Sequence, residues 1–133
     1  MRILHVMLRV VDLERSITFY RDVLGMSLFS RRDYPDAKLT LAHLGDTPGA
    51  AEIELTYNWG VDGYQLGTAY GHVALGVDDV HAVCEKVRQA GHEITRMPTR
   101  HGARVLAFVR DPDGYEVEII GEDATRAGGA PPA

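Results

Sequence analysis

HVMLRVVD at residues 5–12 and HVALGVDD at residues 72–79 are one segment written twice, 67 residues apart, with His, Val, Leu, Val and Asp repeated in register. Two further pairs follow in the same order. VLGMSL at 23–28 answers QAGHEI at 89–94 with an offset of 66, and EIEL at 52–55 answers EVEI at 116–119 with an offset of 64. Short loop deletions in the second copy would shrink the offset in this way. The chain is therefore read as an internal duplication of a unit about half its length.

The elements around these segments give each copy the same order. Residues 3–10 are rich in apolar and β-branched side chains and read as a strand. Asp12 can cap a helix in which Leu13, Ile17, Tyr20 and Leu24 recur at helical spacing, and Gly25 closes it. Residues 26–31, 37–44 and 51–57 read as three more strands, with turn residues Tyr34-Pro35-Asp36 and Gly45-Asp46 around the middle one. In the second copy a strand at 71–77 leads to a helix capped by Asp78 or Asp79, carrying Val80, Val83, Cys84 and Val87, and ended by Gly91. Strands at 92–97, 105–110 and 115–120 complete it, the last two joined by the strong turn Asp111-Pro112-Asp113-Gly114. The expected fold is α+β, two βαβββ modules at 1–57 and 71–122. A glycine-rich linker at 58–70 joins them, and a disordered tail at 123–133 lacks the apolar content to pack.

Composition narrows the function. At 133 residues the chain is one domain or two half-size modules sharing a core. An apolar fraction of 45%, a charged fraction of 25% and a formal charge of −5 describe a soluble globular chain, with no basic stripe to neutralise phosphates. No stretch approaches the roughly 20 apolar residues of a membrane helix. The opening MRILHVMLRVVDLERS is interrupted by Arg9 and Asp12 and has no cleavage site after it, so it is read as fold rather than secretion signal. The single cysteine, Cys84, has no partner for an internal disulfide and sits in an apolar helical pattern as a packed thiol. These features fit a cytoplasmic protein.

The duplication also repeats a chemistry. His5 and His72 occupy equivalent points on each module's first strand, and Glu54 and Glu118 equivalent points on each last strand. Taken singly, a strand histidine is usually packed and a strand glutamate usually faces solvent. Repeated in register, two imidazoles and two carboxylates form a plausible six-coordinate site for a divalent first-row metal, two positions being left for water or substrate oxygens. Glu52 and Glu116 are paired by the repeat too and share facing parity with Glu54 and Glu118, so periodicity leaves open which pair binds. Arg9 and Asn58 lie four residues beyond His5 and Glu54 on the same faces, and an arginine near a metal suits a carboxylate-bearing substrate. His43, His81, His92 and His101 have no repeated partners and are read as surface or packing residues.

LHVMLRVVDLERSITFYRDVLGM, EIELTYNWGV, LGTAYGHVAL and AFVRDPDGYEVEII together resemble the signature segments of the bacterial glyoxalase I family in the vicinal oxygen chelate superfamily, over nearly all of residues 1–122. The resemblance implies paired βαβββ modules forming open barrels, completed in a homodimer whose two metal sites take ligands from both subunits. His5 and Glu54 of one chain would then meet His72 and Glu118 of the other. It selects these glutamates because the ligand directly precedes LTYNWG and directly follows DPDGYEV. It implies the hemithioacetal of glutathione and methylglyoxal as substrate and S-lactoylglutathione as product. In the family's mechanism the metal stabilises an enediolate and a loosened glutamate moves a proton between adjacent carbons in a dry site. Glu118 is taken as principal base, with Glu54 able to serve the other enantiomer. Arg9 and Asn58 match residues that hold the γ-glutamyl end. Arg96 and Arg100 fall near the glycyl carboxylate, in a loop at 97–103 that looks shortened, and Thr68 stands where some eukaryotic members place an arginine. A histidine at position 5, together with the short chain, resembles the nickel- or cobalt-activated subclass rather than the zinc-activated one.

Relatives on the same fold offer other activities. A coenzyme A thioester epimerase also shifts a proton beside a thioester carbonyl, but ELTYNWG favours glyoxalase. Extradiol dioxygenases use two histidines and one glutamate, and a fourth ligand at Glu54 argues against them. A drug-sequestering dimer needs no metal, and the full quartet of ligands argues against it as well.

Overall fold

Asp12 and Asp79 start the two helices with nearly the same backbone geometry, φ/ψ −138°/100° and −139°/102°. Their carboxylates accept from the backbone N–H of Arg15 and of Ala82, each at 3.0 Å, satisfying amides that the first turn leaves bare. A computed structural model describes residues 1–123 of the chain, and the tail beyond Asp123 lies outside the described residues.

The chain divides into two compact units between Gly67 and Thr68, within the segment read as a linker. The first unit contains β1 (His5–Arg9), α1 (Leu13–Thr18), β2 (Ser27–Tyr34), β3 (Leu39–Gly45) and β4 (Glu52–Asn58). The second contains β5 (His72–Gly76), α2 (Val80–Gln89), β6 (Ile94–His101), β7 (Arg104–Arg110) and β8 (Glu116–Glu122). Each builds a four-stranded mixed sheet of the same topology, in the order β1-β4-β3-β2 and β5-β8-β7-β6. The first and last strands of each unit pair in parallel, and the remaining pairs are antiparallel. The expected α+β pair of βαβββ units is present.

One face of each sheet is closed by its own helix. Leu8, Val10, Leu13, Ile17, Phe19, Tyr20, Ala42, Leu44, Ile53 and Leu55 are buried in the first unit. Val80, Cys84, Val87, Val105, Ala107, Val109, Val117 and Ile119 are buried in the second. Alternation along the strands then sends the intervening side chains to the opposite, open face.

Three boundaries differ from the sequence reading, each for a local reason. The first helix changes at Phe19 into a π-helical turn, Phe19–Val23, with Leu24 N–H donating to the Phe19 carbonyl five residues back. Gly25, at φ 85°, closes it. β2 runs on to Tyr34, since Arg32, Asp33 and Tyr34 pair with Leu41, Thr40 and Leu39; their polar side chains hide a strand whose ladder is complete. β6 continues through Pro98 to His101, which an edge strand with register shifts tolerates. The segment after β4 also returns to its own unit: Trp59 Nε1–H donates to Thr40 Oγ1 at 2.9 Å.

Candidate metal centre

On β1, His5, Met7 and Arg9 alternate onto the open face, because Leu8 points into the core. On β4, Glu52, Glu54, Thr56 and Asn58 do the same between buried Ile53 and Leu55. The parallel register sets His5 against Glu52 and Met7 against Glu54, so the imidazole reaches Glu54 along the diagonal. His5 Nε2 lies 3.4 Å from Glu54 Oε2. The second unit repeats this arrangement, with His72 against Glu116, Ala74 against Glu118, and His72 Nε2 2.9 Å from Glu118 Oε2. The outer glutamates turn elsewhere. Glu52 Oε2 lies 2.9 Å from His43 Nδ1, and Glu116 Oε1 lies 3.5 Å from Arg110 Nη2.

The donor chemistry suits an ion. Both glutamates are mostly covered, with side-chain exposures of 14% and 13%, whereas both histidines are about two-fifths exposed. Two adjacent ligands each about 2.1 Å from one ion are about 3 Å apart, close to the His–Glu spacing in both units. Among the described residues no cluster of three or more His, Cys, Asp and Glu is placed to hold an ion. The repeated pair gives each unit one imidazole and one carboxylate, two of the four protein ligands expected of a six-coordinate site.

The other expected residues spread along the same faces. Arg9 is opposite Thr56 at the far end of β1, and Asn58 Nδ2 donates to Tyr64 Oη at 2.9 Å. Arg96 and Arg100 lie on edge strand β6, with Arg96 Nη2 3.4 Å from His101 Nε2. Arg100 pairs with Asp123, a residue assigned by sequence to the tail. Asp123 is in fact buried, and its N–H donates to the Ala103 carbonyl.

His43 requires a correction. Read from sequence as a surface or packing residue, it sits on β3 directly opposite Glu54, with Nε2 2.9 Å from Glu54 Oε2 and Nδ1 2.9 Å from Glu52 Oε2. The repeat could not reveal it, because the same register position in the second unit is Phe108, opposite Glu118. His43 also forms part of a groove of about 460 Å³ with Ser30, Arg32, Tyr34 and Leu41, a size that suits a small ligand. In the second unit Tyr70 donates its hydroxyl to the Glu116 carbonyl at 3.3 Å, and desolvation raises its phenol above the usual range.

A sequence profile of the Glyoxalase/Bleomycin resistance protein/Dioxygenase superfamily matches residues 2–119. The chain belongs to that superfamily. Within it, the chain is 58% identical over 132 residues to a lactoylglutathione lyase of Haemophilus influenzae, covering 96% of this chain and 98% of that one. Among solved glyoxalase I structures, that of the trypanothione-dependent enzyme of Leishmania major superposes with a TM-score of 0.85. It is 42% identical, covering 96% of this chain and 91% of that one. Glyoxalase I from Zea mays gives the same TM-score at 46% identity over 90% of this chain, which spans 44% of the maize chain. The similarity places the chain on the lactoylglutathione lyase branch of the glyoxalase superfamily. Among the described residues no helix is long and apolar enough to cross a membrane.

Proposed function

We propose that the chain is a metal-dependent glyoxalase I, isomerising the hemithioacetal of glutathione and methylglyoxal to S-lactoylglutathione in the cytoplasm. The observation that carries this reading is the repeated His–Glu pair, His5 with Glu54 and His72 with Glu118, at the same register of both sheets. Near-full-length identity to lactoylglutathione lyases supports it. The reaction moves one proton from the sulfur-bearing carbon to the neighbouring carbonyl carbon and the hydroxyl proton from the first oxygen to the second. The first carbon's hydroxyl becomes the thioester carbonyl and the second carbon's carbonyl becomes a hydroxyl, with no net oxidation.

His5, Glu54, His72 and Glu118 are the proposed ligands of a divalent ion, nickel before cobalt or zinc. The ion, when bound, supplies Lewis-acid polarisation of the two substrate oxygens. Glu118 takes the proton from the first carbon and returns it to the second, and Glu54 does so for the other enantiomer. Arg9 and Asn58 hold the γ-glutamyl end. Arg96 and Arg100 hold the glycyl carboxylate.

Because the repeated pair gives each unit two of the four proposed ligands, the complete site is proposed to form in a homodimer, the first unit of one protomer facing the second unit of its partner. Ile3, Leu4 and Val6, exposed by 69%, 61% and 42%, support this, as apolar side chains exposed at the start of β1 call for cover.

The test is thioester formation from methylglyoxal and glutathione, followed by absorbance after chelation and re-addition of nickel, cobalt or zinc. Activity should vanish on chelation and return best with nickel. No thioester with any metal would overturn the assignment. Glu118→Gln should keep its oligomeric state and lose turnover by about 10²–10⁴-fold, the contribution of a positioned proton carrier.

A further inference from the structure

The two halves of the repeat match at imidazole and inner carboxylate, and differ at the residue directly across from that carboxylate. In the second unit it is Phe108, whose ring meets His72 edge-on at 5.1 Å and has no hydrogen bond to offer Glu118. In the first unit it is His43, whose ring lies 5.6 Å from that of His5 and reaches a carboxylate with each nitrogen. One oxygen of Glu54 thus lies between two imidazole nitrogens, at 2.9 Å from His43 and 3.4 Å from His5. Glu118, among the described residues, faces one imidazole, that of His72.

We propose that His43 is a positioning residue that holds the Glu54 carboxylate through Nε2 while Glu52 holds His43 through Nδ1, leaving Glu118 as the carboxylate free to move. The proposal rests on the reading given above of Glu54 and Glu118 as ligands and of Glu118 as principal base, and goes beyond it by naming His43 as the residue that tethers Glu54. The Nε2 position faces Glu54 at 2.9 Å, where an N–H on that nitrogen donates to the carboxylate, and Glu52 flanks the same ring at Nδ1 at 2.9 Å. A ligand oriented from behind by such a partner is held for the metal. To carry a proton between two carbons, a carboxylate must shift; Glu54 would break a contact to His43 that Glu118 does not have. The strand pairing makes this an ordered arrangement, since β3 and β4 are antiparallel neighbours from Leu39 to Leu44 and His43 cannot drift from Glu54 without breaking the ladder.

His43→Phe copies the second unit's environment into the first and is the natural test. Nickel affinity, measured by competition with a chelator, should weaken about tenfold, the lower end of the range for losing an orienting partner. His43→Gln, which keeps an N–H to offer Glu54, should recover most of that loss. Turnover of Glu54→Gln and Glu118→Gln should be compared in both backgrounds. With His43 present, the Glu118 change is the more damaging; in the His43→Phe background the two losses should converge. Unchanged nickel affinity together with an unchanged ratio of the two losses would overturn the proposal. Were His43→Phe to fold poorly, the reciprocal Phe108→His carries the same test: turnover should fall several-fold with nickel affinity kept or raised, and unchanged turnover would refute it. Nickel binding that depends on His43 in a protein forming no thioester would uphold the positioning role and remove the isomerase reading. Thioester formation with nickel binding and the ratio of the two losses both indifferent to His43 would do the reverse.

Discussion

Cys84 shows how far a single residue's environment decides its chemistry. It is buried in α2, between the helical positions of Val80 and Val87, and desolvation pushes its thiol above the ordinary value of 9.0. The thiolate is the reactive species, so a group kept protonated by burial reacts slowly. At pH 8 a thiol-specific reagent should modify native Cys84 at least about tenfold more slowly than the denatured chain, and equal rates would contradict its burial. Since the folded-state pKa is the higher one, the stabilising effect is complete below the unfolded value. It disappears as pH rises past that value, and Tyr70, raised by the same cause, adds to an alkaline loss of stability. The packed thiol was legible because its neighbours at helical spacing are all apolar. His43 was not, because its partners come from another strand and depend on a pairing register that a single sequence does not state.

Among the elements, those with a strong local pattern were easiest to read. Both helices begin at the aspartates whose side chains cap them, and the strands that bury one face show apolar alternation. β2 and β6 were read short for the opposite reason: each is an edge strand carrying arginines and polar residues, stabilised by ladder bonds rather than by burial. The π-helical turn after α1 has no sequence signature beyond the glycine that ends it. A tighter constraint lies in β8. A Cβ on Gly121 would sit 2.6 Å from the Val77 carbonyl oxygen and 3.1 Å from Val80 Cγ2, at the junction that leads from β5 into α2. Gly121→Ala should therefore cost about 1–3 kcal/mol, as overpacking against backbone does. Gly76→Ala, with nothing within 4 Å of the added carbon, should stay within about 0.5 kcal/mol. Thermal or denaturant melts of the two variants measure the contrast, and equal stabilities would contradict the close approach.

At the scale of the whole molecule, the duplication made the fold readable and also divides the site. Each unit contributes one copy of the repeated pair, an imidazole and an inner carboxylate, on its open face. If the site is completed across a homodimer, its two halves belong to different chains, and two separately disabled chains can repair each other. A first variant, His5→Ala with Glu54→Ala, keeps the second unit intact; a second, His72→Ala with Glu118→Ala, keeps the first. Each should be inactive by itself. Unfolded together and refolded at equal amounts, half the dimers are mixed by random pairing. Each mixed dimer joins the two intact units at one of its two sites, so activity should return to about a quarter of the unmodified level. A site built within a single chain predicts no recovery at any ratio, since every chain in the mixture lacks one pair of ligands. The same mixture titrated with nickel should bind tightly at about one site per four chains, a count that separates a restored centre from a loosely associated ion.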